Sequence, residues 1–421
     1  MNKNTVTEKY NIFSNGLIWN AVGGTLFAGQ SVVVLYLCTR FYDHETAGVV
    51  SISYAVAMLA YMIALYGVRN YQVTDSNENY KFADYLGLRI VSIVTALVLV
   101  LSYMVLMYNI NNYTFHKCAT VTSMTILKMV NAFEDVLIGR LQQRGFFAFG
   151  ARMGAIRELI TLVTVVLLIC FRLDLVIVLL GGTIVGIISE VLLARGIWSY
   201  LEIEKINSSG YSFDRIKGIA KECFPLCISA VLAIYLSNIP KYLTDWYLDE
   251  LTQAVVVYLI LPAFTIALLN QFIYTPFIKN LGDQWNSGDK KAFIRMILIQ
   301  SAAIILSTVL ILLISLWIGI PILSYIFNID LKPYITSYIM MLTGGGLYAL
   351  EYYLIIPMTV IHEQKRIAYG YAISIFLSLL IQKYMVVKYG LDGVGIVYIF
   401  VNLFNTIYLS CLLLIKYRSK A

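Results

Sequence analysis

Lys128 is the only charged residue in the otherwise uncharged segment 118–133. If a helix there crosses a bilayer, this lysine lies near the midplane, where a cation costs roughly 2.5–3.5 kcal/mol on insertion scales. Three more polar residues follow helical spacing around it: Thr125, Asn131 and Asp135. Steps of three, three and four residues place the four side chains within an arc of about 120°. A polar stripe of this kind faces either a water-filled cavity or a partner helix.

Two interpretations of Lys128 remain open. In the first, Lys128 lines a cavity with Thr125 and Asn131 and binds an anionic substrate. In the second, it forms a buried ion pair with an interior carboxylate, for example Glu190 or Glu351. Ionisable residues inside a membrane segment are functional hypotheses by default, which favours the cavity.

Other charged residues near the ends of apolar segments are distributed unevenly. Carboxylates fall toward the predicted cytoplasmic side, at Glu134, Asp135, Glu158, Glu190, Glu222 and Glu351. Cations fall toward the outer side, at Arg40, Lys241 and Lys383. Most charges at span ends simply reach solvent. Taken together, they indicate a hydrated interior with cations at its middle and outer depths, which suits an anionic substrate.

The composition requires many membrane spans to position these residues. Of 421 residues, 60% are hydrophobic and 13% charged, with a mean hydropathy of +0.77. Soluble domains carry about 25% charged residues, so a soluble protein is excluded in favour of an all-α polytopic membrane protein. The chain has no phosphate-binding loop, no nucleophile–base pair at a recognisable spacing and no histidines at metal-ligand spacing. An enzyme is therefore not expected.

Twelve apolar runs are long enough to span a bilayer. They lie at about residues 16–37, 47–68, 84–108, 117–138, 153–171, 175–197, 218–239, 253–275, 292–316, 335–358, 367–387 and 394–415. The glycines Gly344–Gly346 fall within the tenth run, and they either interrupt its helix or allow close helix packing.

Basic residues decide the orientation. With the N-terminus inside, 23 of the 31 lysines and arginines fall in inner segments, seven in outer segments, and Lys128 within a span. The positive-inside rule therefore predicts cytoplasmic termini. It also explains the net charge of +7 without any nucleic-acid partner.

The polar segment around residues 200–217 divides the spans into two sets of six, predicting bundles over residues 1–205 and 206–421. "FYDHETAGVV" (Phe41–Val50) and "YLDELTQAVV" (Tyr247–Val256) match at four positions with an offset of 206. Each segment joins the first two spans of its half. Six spans per half give both halves one orientation, so a parallel repeat is predicted, as in many transporters.

Three segments carry a resemblance to a known family. They are "YGVRNYQVTD" (Tyr66–Asp75), Glu134–Ile160 between spans four and five, and "IPKYLTDWYLDELTQAVVVYLILPAF" (Ile239–Phe264). With the length and twelve spans, the chain resembles the polysaccharide-export branch of the multidrug/oligosaccharidyl-lipid/polysaccharide flippase superfamily. The closest likeness is to the bacterial O-antigen (Wzx-type) flippases. The related lipid II flippases usually carry two further spans.

The resemblance implies a flippase of the bacterial cytoplasmic (inner) membrane, in lipopolysaccharide and polysaccharide biosynthesis. Such a flippase moves undecaprenyl-pyrophosphate-linked O-antigen, or similar repeat units, to the outer leaflet by alternating access through a cationic lumen. Lys128, Arg40, Lys241, Asn131 and Thr125 are the expected substrate-binding residues. No cofactor is expected, and a proton or sodium gradient is the expected energy source. The ion-coupling candidates are Glu351, Glu190 and Asp135.

The expected partners are the lipid-linked oligosaccharide, membrane lipids, and a polymerase with its chain-length regulator. Two alternatives stay open. An O-antigen polymerase, a membrane glycosyltransferase, has similar length and hydrophobicity, but its family carries a large outer loop that is absent here. A multidrug antiporter of the same fold would carry cations, which a cationic midplane repels.

Reporter fusions can determine the membrane topology of the chain. Reporter fusions after Ser209 and after Lys420 are expected to score cytoplasmic, and a fusion after Asp249 to score outside, because basic residues retain inner segments in the cytoplasm. An outside score at Ser209 would contradict the twelve-span arrangement.

Overall fold

The structure, a computed structural model, describes residues 3–75, 78–195, 212–274 and 277–419. It is 91% helix, and the described ranges contain no strand. The chain divides into two compact units, Met1–Val231 and Leu232–Ala421. The predicted boundary between residues 205 and 206 lies outside the described residues.

The helices of the first unit alternate with short connections. They are α1 (Lys3–Phe41), α2 (His44–Leu65), α3 (Val68–Thr74), α4 (Phe82–Ile110), α5 (Phe115–Gln143), α6 (Phe147–Cys170), α7 (Leu175–Arg195) and the larger part of α8 (Phe213–Ser237).

The second unit begins within α8. It continues with α9 (Ile239–Tyr247), α10 (Glu250–Tyr274), α11 (Ile278–Asn286), α12 (Lys290–Ile314), a π-helical turn (Ser315–Gly319), α13 (Ile320–Phe327), a 3₁₀ turn (Lys332–Tyr334), α14 (Ile335–Val360), α15 (Gln364–Tyr389) and α16 (Leu391–Ser419).

The predicted spans coincide with these helices, and ten helical stretches of the described chain are long and apolar enough to cross a membrane. The prediction of an all-α polytopic membrane protein is confirmed. Two predicted spans are not among the ten. The eighth is represented by the shorter apolar helix Glu250–Ala263, and the fourth, α5, is absent although its 29 residues extend about 43 Å. Eighteen of those residues are buried, so the polar face of α5 meets protein rather than lipid.

The two units repeat one packing pattern. Helix α2 packs on α5 as α10 packs on α14, and α5 packs on α7 as α14 packs on α16. The matched sequence segments also form the same local structure. Asp43 caps α2 by accepting a hydrogen bond from the Thr46 N–H at 2.6 Å, and Asp249 accepts one from the Thr252 N–H at 2.7 Å. These caps satisfy otherwise unpaired helix N–H groups, which accounts for two of the four sequence identities.

The three consecutive glycines of α14 allow close packing and do not interrupt the helix. Helix α14 continues from Ile335 to Val360 through Gly344–Gly346. A Cβ added to the three glycines in turn would overlap side chains of Tyr398 in α16, Ala263 in α10 and Thr308 in α12. The close-packing interpretation therefore holds, because small residues let helix backbones approach each other in membranes.

We expect Gly345→Ala to destabilise the protein by roughly 1–3 kcal/mol, the usual cost of overpacking. Its new methyl group would overlap the Ala263 side chain and lie 3.2 Å from the Ala263 Cα. The control is Gly29→Ala in α1, where no atom lies within 4 Å of the added Cβ. Thermal unfolding in detergent measures both, and an equal effect of the two changes would contradict the packing role.

Candidate functional site

The side chain of Lys128 is completely buried in the first unit. Its Nζ donates a hydrogen bond to Gln30 Oε1 in α1 at 2.5 Å. The ring centroids of Phe27 and Tyr54 lie 4.1 and 4.8 Å from Nζ. Each aromatic face attracts a desolvated cation by up to about 2 kcal/mol. Among the described residues no carboxylate lies within ion-pair distance of Lys128, so a neutral amide and two rings hold this charge.

Three carboxylates converge on the buried guanidinium of Arg157 in α6. Its Nη2 lies 2.8 Å from Glu134 Oε2 in α5 and 3.0 Å from Glu158 Oε2, and its Nε lies 3.6 Å from Glu190 Oε2 in α7. Neither oxygen of Glu190 has a hydrogen-bond partner in the described structure. One guanidinium thus faces three acids, and buried carboxylates that exceed their counter-charges favour bound protons or cations.

Asn131 connects Lys128's helix to this acidic cluster. Its Nδ2 donates a hydrogen bond to Glu158 Oε2 at 2.8 Å. Both residues line a cavity of about 190 Å³ within the first unit. Phe27 also lines this cavity, whereas Lys128 lies behind its wall.

Asp135 is shared by two arginines. Its carboxylate lies 2.7 Å from Arg89 Nη2 in α4 and 3.2 Å from Arg69 Nη1 in α3. Arg89 is buried, and its Nη1 also donates to the Ala64 carbonyl at 2.5 Å. Two arginines on one carboxylate leave an excess positive charge, in contrast to the acidic cluster that contains the adjacent Glu134.

A second cavity of the first unit, of about 390 Å³, adjoins this arginine pair. Arg69, Asp135 and Asn20 line both cavities, and Asn70 and Gln142 add polar groups to the larger one. The two cavities therefore form one polar region lined by α1, α3, α5 and α6.

Asp75 directly follows α3, the helix that carries Arg69. Asp75 accepts hydrogen bonds from the backbone N–H groups of Asn79 and Tyr80 and from the Tyr85 hydroxyl. Burial acts to raise the pKa of Asp75, but these hydrogen bonds outweigh it and hold the pKa below its ordinary value. An ionised Asp75 thus anchors the end of α3 to α4.

Two further predicted binding residues lie apart from the cavities. The Thr125 hydroxyl is buried and donates to the Val121 carbonyl at 2.8 Å. Arg40 is exposed in the last turn of α1, with its guanidinium 5.6 Å from the Tyr36 ring centroid. A role for either in substrate binding stays a prediction.

The second unit contains its own buried lysine. Lys241 in α9 is 8% exposed, and its Nζ has no hydrogen-bond or ion-pair partner among the described residues. Glu351 in α14 is also buried, at 2% exposed. No cation lies within ion-pair distance of its carboxylate among the described residues. Tyr371 and Asn405 are its polar neighbours, and its Oε2 has no hydrogen-bond partner in the described structure.

The sequence patterns place Gln30 among the polar residues inside the first span but do not single out Arg69, Arg89 or Arg157. The arginines were counted only as basic residues of inner segments. Arg89 and Arg157 nevertheless lie inside the predicted third and fifth spans, by five and four residues. That depth was a usable signal, because a cation inside a span pairs with an acid or faces a cavity.

We expect Glu134→Gln to cost roughly 1.5–3 kcal/mol of stability, because it removes the charge from a 2.8 Å hydrogen bond to Arg157. Glu190→Gln is the matched control and should leave stability unchanged or slightly higher. The change removes repulsion between neighbouring carboxylates, and the Glu190 oxygen lies 3.6 Å from the Arg157 Nε. Thermal unfolding in detergent at neutral pH measures both. A larger loss for Glu190→Gln would contradict this description of the cluster.

No family model and no curated protein matches this sequence. Solved structures do match its fold. A multidrug resistance MATE family transporter of the MOP superfamily, in an inward-facing conformation, matches with a TM-score of 0.69 at 11% identity, over 96% of this chain and 98% of its own.

Two other transporters cover nearly the whole chain. The lipid II flippase MurJ, in an inward closed conformation, matches with a TM-score of 0.63 at 12% identity, over 93% of this chain and 87% of its own. A MOP superfamily transporter from Pyrococcus furiosus, described as having a binding pocket of reverse polarity, gives 0.55 at 11% identity, over 98% and 95%. The chain therefore shares its fold with transporters of the MOP superfamily.

Proposed function

We propose that this chain is a flippase for undecaprenyl-pyrophosphate-linked O-antigen or a similar polysaccharide repeat unit. It would move the lipid from the inner to the outer leaflet of the bacterial cytoplasmic membrane by alternating access. The observation that carries this proposal is a buried lysine in each unit, Lys128 and Lys241, neither paired with a carboxylate in the described structure. Buried charges are normally paired, and an anionic headgroup supplies the missing counter-charge.

Lys128 would act on the substrate through the wall of the smaller cavity. Phe27 packs on Lys128 and lines that cavity, and Asn131 lines it one turn along α5. Two charges on either side of one side chain interact strongly in a low-dielectric interior. Asn131 would offer the headgroup a hydrogen-bonding side chain in the cavity wall. Lys241 and the exposed Arg40 would contact the headgroup at other stages of its passage.

The energy source in this proposal is a proton or sodium gradient acting on a carboxylate. Glu351 is the first candidate, because no cation pairs with it among the described residues and one of its oxygens is unbonded. Glu190 is the second, since neither of its oxygens is hydrogen-bonded. Asp135 is the third candidate, and its carboxylate is already paired with two arginines.

A multidrug antiporter is the second candidate function. It is favoured by the carboxylates Glu134, Asp135 and Glu158 in the wall of the smaller cavity, which would attract cationic compounds. The flippase is preferred because Lys128, Arg157 and Arg69 lie in or directly behind the same walls.

Loss of the gene tests the class of function. A null strain is expected to retain lipid-linked single repeat units on the inner leaflet and to lose surface polysaccharide, because the headgroup cannot cross unaided. Fractionated lipid intermediates and surface polysaccharide are the measurements. Single units that reach the outer leaflet unpolymerised would indicate the polymerase instead, and unchanged polysaccharide with new drug sensitivity would indicate the antiporter.

Charge at position 128 should matter more than shape. Lys128→Arg is expected to retain much of the export, whereas Lys128→Ala should lose it at normal protein level. Removing a cation lowers the cost of membrane insertion. Lys117→Ala is the control, since Lys117 lies on the same helix 4.0 Å from the Tyr113 ring centroid and lines neither cavity.

Complementation of surface polysaccharide, measured beside membrane protein level, gives the answer. Normal export by well-expressed Lys128→Ala would end the substrate-binding role. Low abundance of Lys128→Ala would instead assign Lys128 a structural role.

A further inference from the structure

Arg69 is the basic residue of the first unit best placed to meet a ligand. Lys128, Arg89 and Arg157 are each no more than 1% exposed, whereas the Arg69 side chain is 27% exposed. Arg69 also lines both cavities, and within the described residues it is the one cation that lines the larger of them. A ligand in the larger cavity would therefore contact Arg69 as the cation of its wall.

The guanidinium of Arg69 retains unused donors. Its Nε and Nη2 donate to Gln142 Oε1 at 3.3 and 2.9 Å, and its Nη1 donates to Asp135 at 3.2 Å. An arginine has five N–H groups, so one remains on each terminal nitrogen. Phosphate oxygens are the acceptors that this planar fork binds best.

The contacts of Asp135 leave one positive charge in excess beside the larger cavity, whereas the smaller cavity also carries Glu134 and Glu158. Asp135 is the carboxylate that pairs with both Arg69 and Arg89. Its contact with the buried Arg89 is the shorter, at 2.7 Å against 3.2 Å. If Arg69 turned away to a ligand, Arg89 would keep Asp135 paired, so no buried charge would be left alone.

We propose that Arg69 binds the pyrophosphate group of the substrate and that Asp135 and pyrophosphate compete for its guanidinium. Arg89 holds Asp135 in both states. Asn20, Asn70 and Gln142 in the same cavity walls can donate to the remaining phosphate oxygens. When the lipid departs, Asp135 takes Arg69 back, which limits how tightly the substrate is held. This inference deepens the proposed flippase function and rests on it.

Binding by the purified full chain in lipid nanodiscs tests the inference. The probes are a polyprenyl pyrophosphate, the matching monophosphate and inorganic pyrophosphate. The variants are Arg69→Gln, Asp135→Asn and, as a control of equal charge change, Arg152→Gln, whose exposed side chain lies over Trp19 outside both cavities. Thermal unfolding of each variant accompanies the binding curves.

We expect Arg69→Gln to weaken binding of the polyprenyl pyrophosphate roughly tenfold or more, the loss of a charge-assisted hydrogen bond. Asp135→Asn should tighten binding because the competing charge is gone, and Arg152→Gln should leave it unchanged. Loss of folding would weaken binding in both variants. Opposite changes in affinity from two residues in contact therefore have a different cause. Equal affinity of wild type and Arg69→Gln, or weaker binding by Asp135→Asn, would overturn the inference.

The three probes distinguish an incorrect role for Arg69 from an incorrect flippase function. Wild-type protein that binds polyprenyl pyrophosphate, with Arg69→Gln binding it equally, rejects the role of Arg69 alone. Wild-type protein that binds none of the probes rejects the flippase proposal as well. Preference for the lipid over inorganic pyrophosphate assigns the site to a lipid headgroup, and the reverse preference contradicts that assignment.

Discussion

A charge inside a membrane protein needs a counter-charge, a set of dipoles or a ligand, because the bilayer core offers it no water. This constraint explains why α5, the most polar of the predicted spans, is enclosed by the other helices of the first unit. Glu134 and Asp135 on this helix are neutralised by arginines from α3, α4 and α6. Lys128 is held only by an amide and two aromatic rings. It is therefore the charge on α5 for which the described residues supply no ionic partner.

The neighbouring groups on α5 suit different tasks. The Arg157 cluster has more acids than bases and unbonded carboxylate oxygens, as expected for groups that exchange a cation. The Asp135 cluster has two arginines for one acid, as expected for groups that bind an anion. Asn131 and the shared cavity place the two within about one helical turn of each other. In the proposed flippase, substrate binding and ion exchange would thus act on the same helix.

The architecture followed from patterns that act over short distances along the chain. Apolar runs of the right length predicted the spans, and Asp43 with Asp249 predicted a repeat that the structure shows as two identical helix caps. The helical face of Lys128 was also predictable from its spacing. Its contacts with Gln30 and Phe27 were not, because they join residues about a hundred positions apart. The same applies to Arg157, because only Glu158 is its sequence neighbour while Glu134 and Glu190 come from two other helices.

In the proposed flippase, the interior carries an anionic lipid headgroup across the bilayer. The most direct test of this movement is reconstitution of the purified chain in sealed vesicles that contain a fluorescent polyprenyl-pyrophosphate-linked saccharide, with an imposed proton or sodium gradient. Loss of fluorescence to an external membrane-impermeant quencher reports transbilayer movement. A flippase of this kind should move the lipid faster than in protein-free vesicles and should not accelerate a lipid that bears a cationic headgroup. Acceleration of the cationic lipid alone would contradict this function.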